Sequence, residues 1–233
     1  MPRQKSKSTL DRRRVRDLLA FDRSFAKAQP LLSLLNDTGW STELAIVGVD
    51  EVGRGCLAGP VVAAAVCLPA VEPGSRLEDR LKRLDDSKVL TAAERMELAE
   101  VIRSTSSFAI GEASVEEIDA LNIFQATLLA MKRALSELGA APPSVVLVDG
   151  NKGIPGIACH QVPVVKGDSL SASIAAAAIL AKVHRDAFME KLSEKFPAYL
   201  WHKNKGYGSQ EHRDAIRRVG ISPWHRRSFR LDR

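Results

Sequence analysis

The sequence predicts an α/β fold: a mixed β-sheet flanked by helices, followed by a helical C-terminal region. Three observations carry this. Short apolar runs bounded by Gly and Pro come first and then alternate with helical stretches, the order of a mixed sheet rather than of a bundle or a sandwich. Two capping boxes, Thr91 with Glu94 and Ser114 with Glu117, mark helix starts. The 233 residues are 45% hydrophobic and 27% charged, enough to bury a sizeable core and unlike a disordered or fibrous chain.

Each element has a local reason. Residues 1–40 read as a basic, partly helical extension: Leu18, Leu19, Phe21, Phe25, Leu31 and Leu34 recur loosely at helical spacing, Pro30 breaks the run and Asn36-Asp37-Thr38-Gly39 closes it. Leu44–Val49 and Val61–Leu68 are apolar strands joined by a turn holding Gly53, Gly55, Gly59 and Pro60. A loop through Pro69 and Pro73 leads to Asp85-Asp86-Ser87-Lys88. The Thr91 box opens a helix to about Arg103, and Phe108–Ala113 is a third strand. The Ser114 box precedes a longer helix from Ile123 to Leu138. Ser144–Val148 is a buried strand ending in Asp149-Gly150-Asn151, and Gln161–Val165 is a short fifth strand. Ser169 opens a long helix to about Leu192, whose alanines let it lie close to the sheet. Seven of the chain's 12 aromatics then fall between Phe188 and Phe229, in a basic region.

An acidic centre lies between two basic ends. Residues 1–28 carry nine Lys/Arg against three Asp/Glu, residues 29–181 carry 12 against 19, and residues 182–233 carry 13 against six. Basic ends suit a polyanion and an acidic centre suits a cation, together pointing to metal-dependent chemistry on nucleic acid. Ordinary surface charge explains the same numbers. The longest near-apolar run, Leu170–Val183, spans 14 residues and holds two serines. A bilayer span needs ~20 apolar residues, so no membrane helix is expected. No apolar signal core follows the basic N-terminus. Cys56, Cys67 and Cys159 are odd in number and lack CxxC spacing, so reduced thiols and a cytoplasmic location are expected. The five histidines show no metal-ligand spacing, and no P-loop or Ser-His-Asp constellation is identified.

Four carboxylates stand where backbone elements end. Asp50 and Glu51 close the first strand, Asp149 closes the fourth and Asp168 precedes the long helix. Side chains at such places leave the core while staying rigidly held, which is where α/β sheets bind ligands. Carboxylates brought together repel one another unless protons or cations neutralise them, and oxygen donors favour Mg²⁺ or Mn²⁺. Two such ions can activate a water and stabilise the leaving oxygen of a phosphodiester. Single residues also have structural explanations: Asp168 is a natural N-cap and Asp149-Gly150 a common turn pair. Two adjacent acids after Ile46-Val47-Gly48-Val49, with a Gly-rich turn following, are harder to explain that way.

The stretch Val49-Asp50-Glu51-Val52-Gly53-Arg54-Gly55 closely resembles the signature of the ribonuclease HII family, enzymes that cut RNA joined to or paired with DNA. The resemblance continues through residues 57–65, Asp86-Ser87-Lys88, Val148-Asp149-Gly150, Lys166-Gly167-Asp168-Ser169, residues 173–177 and Ala181-Lys182. It ends in Gly206-Tyr207-Gly208 and His225-Arg226-Arg227-Ser228-Phe229, leaving residues 1–40 uncovered.

The resemblance implies a ribonuclease H-like catalytic domain over 41–192, with the aromatic-rich region 193–233 completing the substrate site. It places the metal-binding and catalytic acids on Asp50, Glu51, Asp149 and Asp168, with Mg²⁺ or Mn²⁺ as cofactor, and implies cleavage leaving a 5′-phosphate and a 3′-hydroxyl. Gly53-Arg54-Gly55 is implied to read the ribonucleotide's 2′-hydroxyl through backbone, and Tyr207 to stack on the following nucleotide. Lys88, Lys166 and Lys182 are phosphate-contact candidates, and Ser169 a phosphate donor from a helix N-terminus. The expected partners are RNA–DNA hybrid and duplex DNA containing ribonucleotides. No membrane and no protein partner are expected, and the chain is expected to be a monomer. Two alternatives stand beside this: a non-catalytic nucleic-acid binder of the same fold, or a ribonuclease HIII-like enzyme. All four acids argue against the first, since a pure binder gains nothing from negative charge facing phosphate. The second carries an extra N-terminal substrate-binding domain, for which ~40 residues are too few.

Overall fold

The computed structural model describes residues 7–27, 45–139 and 145–231. The expected positions Leu31, Leu34, Leu44 and Ser144 and the turn at 36–39 lie outside these residues. Five strands form one sheet: β1 (Ile46–Val52), β2 (Val61–Cys67), β3 (Ser107–Ala113), β4 (Val145–Asp149) and β5 (His160–Val164), in the spatial order β3-β2-β1-β4-β5. β2 runs antiparallel to both of its neighbours, β1 and β3, whereas β4 runs parallel to β1 and β5 parallel to β4. The sheet is mixed, as expected. The run Val61–Cys67 has no polar residue because β2 is covered on both faces: Val62, Ala64 and Val66 enter one core, Val61, Ala63 and Ala65 the other.

One face carries α6 (Ala172–Lys195), with α3 (Ala92–Thr105) and α1 (Lys7–Lys27) packed beside it. The other carries α5 (Ile123–Glu137), preceded by the short α4 (Val115–Leu121). Ala175 to Ala178 let α6 settle onto β1, and Gly48 completes the fit: a Cβ there would lie 2.1 Å from the Ser173 carbonyl carbon. Both capping boxes form as expected, at Thr91 and Ser114. Two helices depart from the sequence reading. The stretch after Pro73, read as loop, holds a further helix, α2 (Arg76–Leu81), capped by the Ser75 hydroxyl. The long helix begins at Ala172 rather than Ser169, because Ser171 accepts the Ile174 N–H and Gly167–Ser169 form a separate 3₁₀ turn.

Beyond α6 the C-terminal region holds two further helices, α7 (Trp201–Asn204) and α8 (Gln210–Val219). Tyr199 stacks on the fully buried Trp201 with ring centroids 4.9 Å apart, and both pack with Ala58 and Met189 in a small core of their own. The chain then crosses to Asp119, whose carboxylate accepts the backbone N–H groups of Arg227 and Ser228.

α1 joins the main core through Val15, Leu18 and Leu19. Three of its arginines are paired with acids of the domain: Arg12 with Asp79, Arg14 with Asp85 and Arg16 with Glu78.

Candidate active site

β1 extends to Val52, so Asp50 and Glu51 lie inside this strand rather than closing it, opposite Ala64 and Ala63 of β2. The parallel pairing with β4 nevertheless stops at Val49↔Val148. Asp50 and Asp149 are therefore the first residues past the shared ladder, on neighbouring strands and on the same face. Ligand oxygens of Asp50, Glu51 and Asp149 all lie within 4.8 Å of one another.

This crowding has an electrostatic cost. Burial pushes the Asp50 carboxyl well above the usual range, and the charges of Glu51, Asp149 and Asp168 push the same way. Burial also raises Glu51 against the pull of Arg54, whose guanidinium lies 3.2 Å away. Asp149 is raised by burial although its Oδ1 accepts the Gly167 N–H at 2.7 Å. Among the described residues no side-chain cation bonds Asp50 or Asp149. A divalent cation matches what is missing: hard oxygen donors, close together, with excess negative charge.

Asp168 is buried at 6% exposure, but its partner is Lys88, whose Nζ lies 2.8 Å from Oδ2. It does not cap the long helix, as one reading of the sequence had it; Ser171 does. Ser169 likewise stands off the helix N-terminus, in the 3₁₀ turn, and its hydroxyl donates to the Lys166 carbonyl at 2.8 Å. That corrects its expected place as a donor at a helix start. Lys166 is exposed, at a left-handed position with φ 57°.

A cleft of about 420 Å³ opens beside the acid trio. Gly53, Arg54, Gly55, Lys88, Lys182 and Tyr207 line it together with Asp50, Glu51 and Asp149, while Asp168, Lys166 and Ser169 do not. Tyr207 is 42% exposed, bridges to Cys56 through backbone, and has the Lys182 ammonium 5.6 Å from its ring centroid. Ser87 and Arg95 also line the cleft and were not foreseen.

The larger omissions from the sequence reading are two fully buried arginines. Arg226 donates to the carbonyls of Arg54, Gly59 and Pro60, and Arg185 to those of Ala58, Pro60 and Lys205. Together they hold the glycine-rich loop from behind. Burial lowers Arg226 to about 10. The two loop glycines differ. Gly53 sits at φ +95° and a Cβ there would meet Arg185 Nε at 2.3 Å, whereas a Cβ at Gly55 meets nothing within 4 Å and projects into open space. Arg226 lies within a motif already quoted; Arg185, on α6, has no signal in the sequence.

The fold and the acid trio at its strand ends define a hydrolase of the ribonuclease H type. A family model described as Ribonuclease HII matches residues 47–232. The ribonuclease HII of Paramagnetospirillum magneticum is 53% identical over 184 residues, covering 79% of this chain and 89% of the relative. That of Rhodospirillum rubrum is 54% identical over 186 residues, covering 79% and 83%. This chain belongs to the ribonuclease HII family. Among solved structures, the complex of PCNA with RNase HII from Archaeoglobus fulgidus matches with TM-score 0.61 at 28% identity, over 82% of this chain and 97% of that one. The ribonuclease H2 of Pyrococcus horikoshii matches in fold, with TM-score 0.64 at 24% identity over 81% and 95%. Membership implies divalent-metal use, in agreement with the acid trio. No helix among the described residues is long and apolar enough to cross a membrane.

Proposed function

We propose that this chain hydrolyses the RNA strand of RNA–DNA hybrids and cuts 5′ of single ribonucleotides embedded in duplex DNA, leaving 5′-phosphate and 3′-hydroxyl ends. The observation that carries this reading is the acid trio opening onto the same cleft as the glycine-rich loop and Tyr207. Asp50, Glu51 and Asp149 would hold Mg²⁺ or Mn²⁺, with Asp168 as the fourth acid once Lys88 releases it. Bound there, the ion supplies an activated water and stabilises the leaving oxygen.

The chain's own groups bind and orient the substrate. The Arg54 carbonyl is fixed on Arg226 at 2.9 Å, so the trans peptide turns the Gly55 N–H the opposite way, where it can meet a sugar hydroxyl. The 2′-hydroxyl is what separates RNA from DNA, and a glycine lets backbone approach it closely. Tyr207 offers its exposed ring for stacking on the next nucleotide. Lys88 and Lys182 present ammonium groups to the phosphates within the cleft, and Lys166 and Ser169 extend that contact along the backbone outside it. The enzyme acts as a monomer in the cytoplasm.

The test is a duplex DNA carrying one ribonucleotide, assayed beside its all-DNA counterpart with and without Mg²⁺ or Mn²⁺. Incision 5′ of the ribonucleotide, only with metal, is expected; equal cutting of both duplexes, or cutting in excess chelator, overturns the proposal.

A further inference from the structure

Helix α1 lies outside the residues matched by the family model, which begin at 47. It nevertheless reaches the segment that carries Asp168, and does so at two points. Arg14 NH2 donates to the Ser169 carbonyl at 2.9 Å, just after Asp168. Asp22 Oδ2 accepts the Ser173 N–H at 2.8 Å, at the start of α6. Residues eight apart on a helix lie about two turns and ~12 Å apart on one face, so a single rigid helix holds both ends of this short segment. The anchor is firm because Val15, Leu18 and Leu19 are buried in the main core.

Arg14 makes a second connection. Its Nε and NH2 both bond Asp85 Oδ1, at 3.1 and 2.7 Å. Asp85 Oδ1 also accepts the Asp86 N–H, and Asp86 Oδ1 accepts the Lys88 N–H. The loop bearing Lys88 and the turn bearing Asp168 are thus tied twice: in front by the Lys88–Asp168 pair and behind by Arg14. The front tie must open if Asp168 is to face a cation and Lys88 a phosphate.

We propose that α1 is a built-in strap, with Arg14 and Asp22 as positioning residues that keep Asp168 and Lys88 in place when their mutual ion pair opens. This rests on reading Asp168 as the fourth acid of the site. Outer groups that orient metal-binding acids typically change metal affinity or activity 10–100-fold when removed.

The test uses the full chain with Arg14→Ala, Arg14→Lys and, as a control on the same helix, Arg12→Ala, whose partner Asp79 belongs to neither segment. The Arg14 side chain is 37% exposed, so its removal leaves the core intact. Calorimetric titration with Mn²⁺ alone, without substrate, is read beside kcat and KM on a hybrid. Arg14→Ala is expected to weaken Mn²⁺ binding about tenfold or more and to lower kcat with little change in KM, Arg14→Lys to recover part of both, and Arg12→Ala to match wild type. Asp22→Asn, which keeps an acceptor for Ser173, is expected to bind Mn²⁺ normally, and Asp22→Ala is not. Wild-type Mn²⁺ affinity and kcat in Arg14→Ala, with only the melting temperature lowered, would overturn the strap and leave α1 as mere support. Failure of wild type itself to bind Mn²⁺ would overturn the site reading and the strap with it.

Discussion

The acid edge and the glycine-rich loop line one cleft and are built on opposite principles. At the edge, a buried Asp50 and the partly buried Glu51 and Asp149 are crowded together, each shifted toward its protonated form, with no side-chain cation bonded to Asp50 or Asp149 among the described residues. In the loop, two fully buried guanidiniums donate to the backbone carbonyls of Arg54, Ala58, Gly59, Pro60 and Lys205. One region holds charge that the fold leaves uncompensated, the other holds charge fully absorbed by hydrogen bonds. The difference separates what the molecule needs from its ligand from what it needs to keep its shape. Buried polar groups stabilise only when satisfied; the edge forgoes that stability and gains an affinity for cations.

The comparison breaks first at Asp50. Asp50→Asn removes a donor and a charge from the trio, so cleavage of a hybrid is expected to fall by about 10³-fold or more, the scale on which loss of a group acting on developing charge lowers kcat. Hybrid affinity should hold or tighten, since a charge that repels phosphate has gone. Normal turnover by a folded, metal-loaded variant would contradict the assignment.

The loop should respond in the reverse manner. Arg226→Met leaves the Arg54 and Gly59 carbonyls without their donor, an expected cost of about 3 kcal/mol or more, visible as a lowered denaturation midpoint. A stability near wild type would mean that the loop is not held from behind.

The two glycines sharpen the contrast within the loop. Gly53→Ala must adopt φ near +95° and displace Arg185, and is expected to lose both stability and cleavage, by about 1–2 kcal/mol in the former. Gly55→Ala has room in the protein and should keep its melting temperature while losing kcat/KM on a one-ribonucleotide duplex, because its Cβ enters the cleft. Arg54→Ala should lose less than either. Equal melting temperatures for the two glycine variants would show that Arg185 yields freely.

The smallest expected effect is a pH dependence at the strap. Burial raises Asp22 to about 6, and its Oδ1 has no hydrogen-bond partner. A carboxyl raised on folding binds more protons in the native than in the unfolded state between about pH 4 and 6. Stability therefore falls as pH rises through that window, by at most ~2–3 kcal/mol. Asp22→Asn should gain on wild type across the same window and run parallel to it above and below. His225, lowered to about 4 by burial, acts oppositely: it adds stability as pH rises from about 4 to 6.5 in both proteins, so only the difference between them isolates Asp22.

What the sequence revealed follows the range of the interactions. The strands at Val61–Leu68 and Phe108–Ala113 and the helices opened by Thr91 and Ser114 were legible because apolar runs and capping boxes act over a few residues. So was the gathering of Asp50, Glu51 and Asp149, since adjacent parallel strands bring their C-terminal ends together. Arg185 and Arg226 were not, because their acceptors are backbone carbonyls 125 and 167 residues away in sequence, and no local pattern marks such a bond. The alternative of Asp168 as a helix cap fails because Ser171, three residues on, takes that role. Of the nine basic residues at 1–28, Arg12, Arg14 and Arg16 are paired with acids of the domain itself, contacts that the charge pattern does not indicate.

The most direct test of the contrast between an uncompensated edge and a satisfied loop is a denaturation cycle on wild type and Asp50→Asn, each with and without Mn²⁺. Without metal, Asp50→Asn should be the more stable protein at neutral pH, because it relieves a buried, repelled charge. Added Mn²⁺ should stabilise wild type by mass action, by about 2.7 kcal/mol at 100 times its Kd, and should leave the variant nearly unmoved, closing or reversing the gap. Wild type already more stable than Asp50→Asn without metal, and equal responses of both to Mn²⁺, would contradict the account.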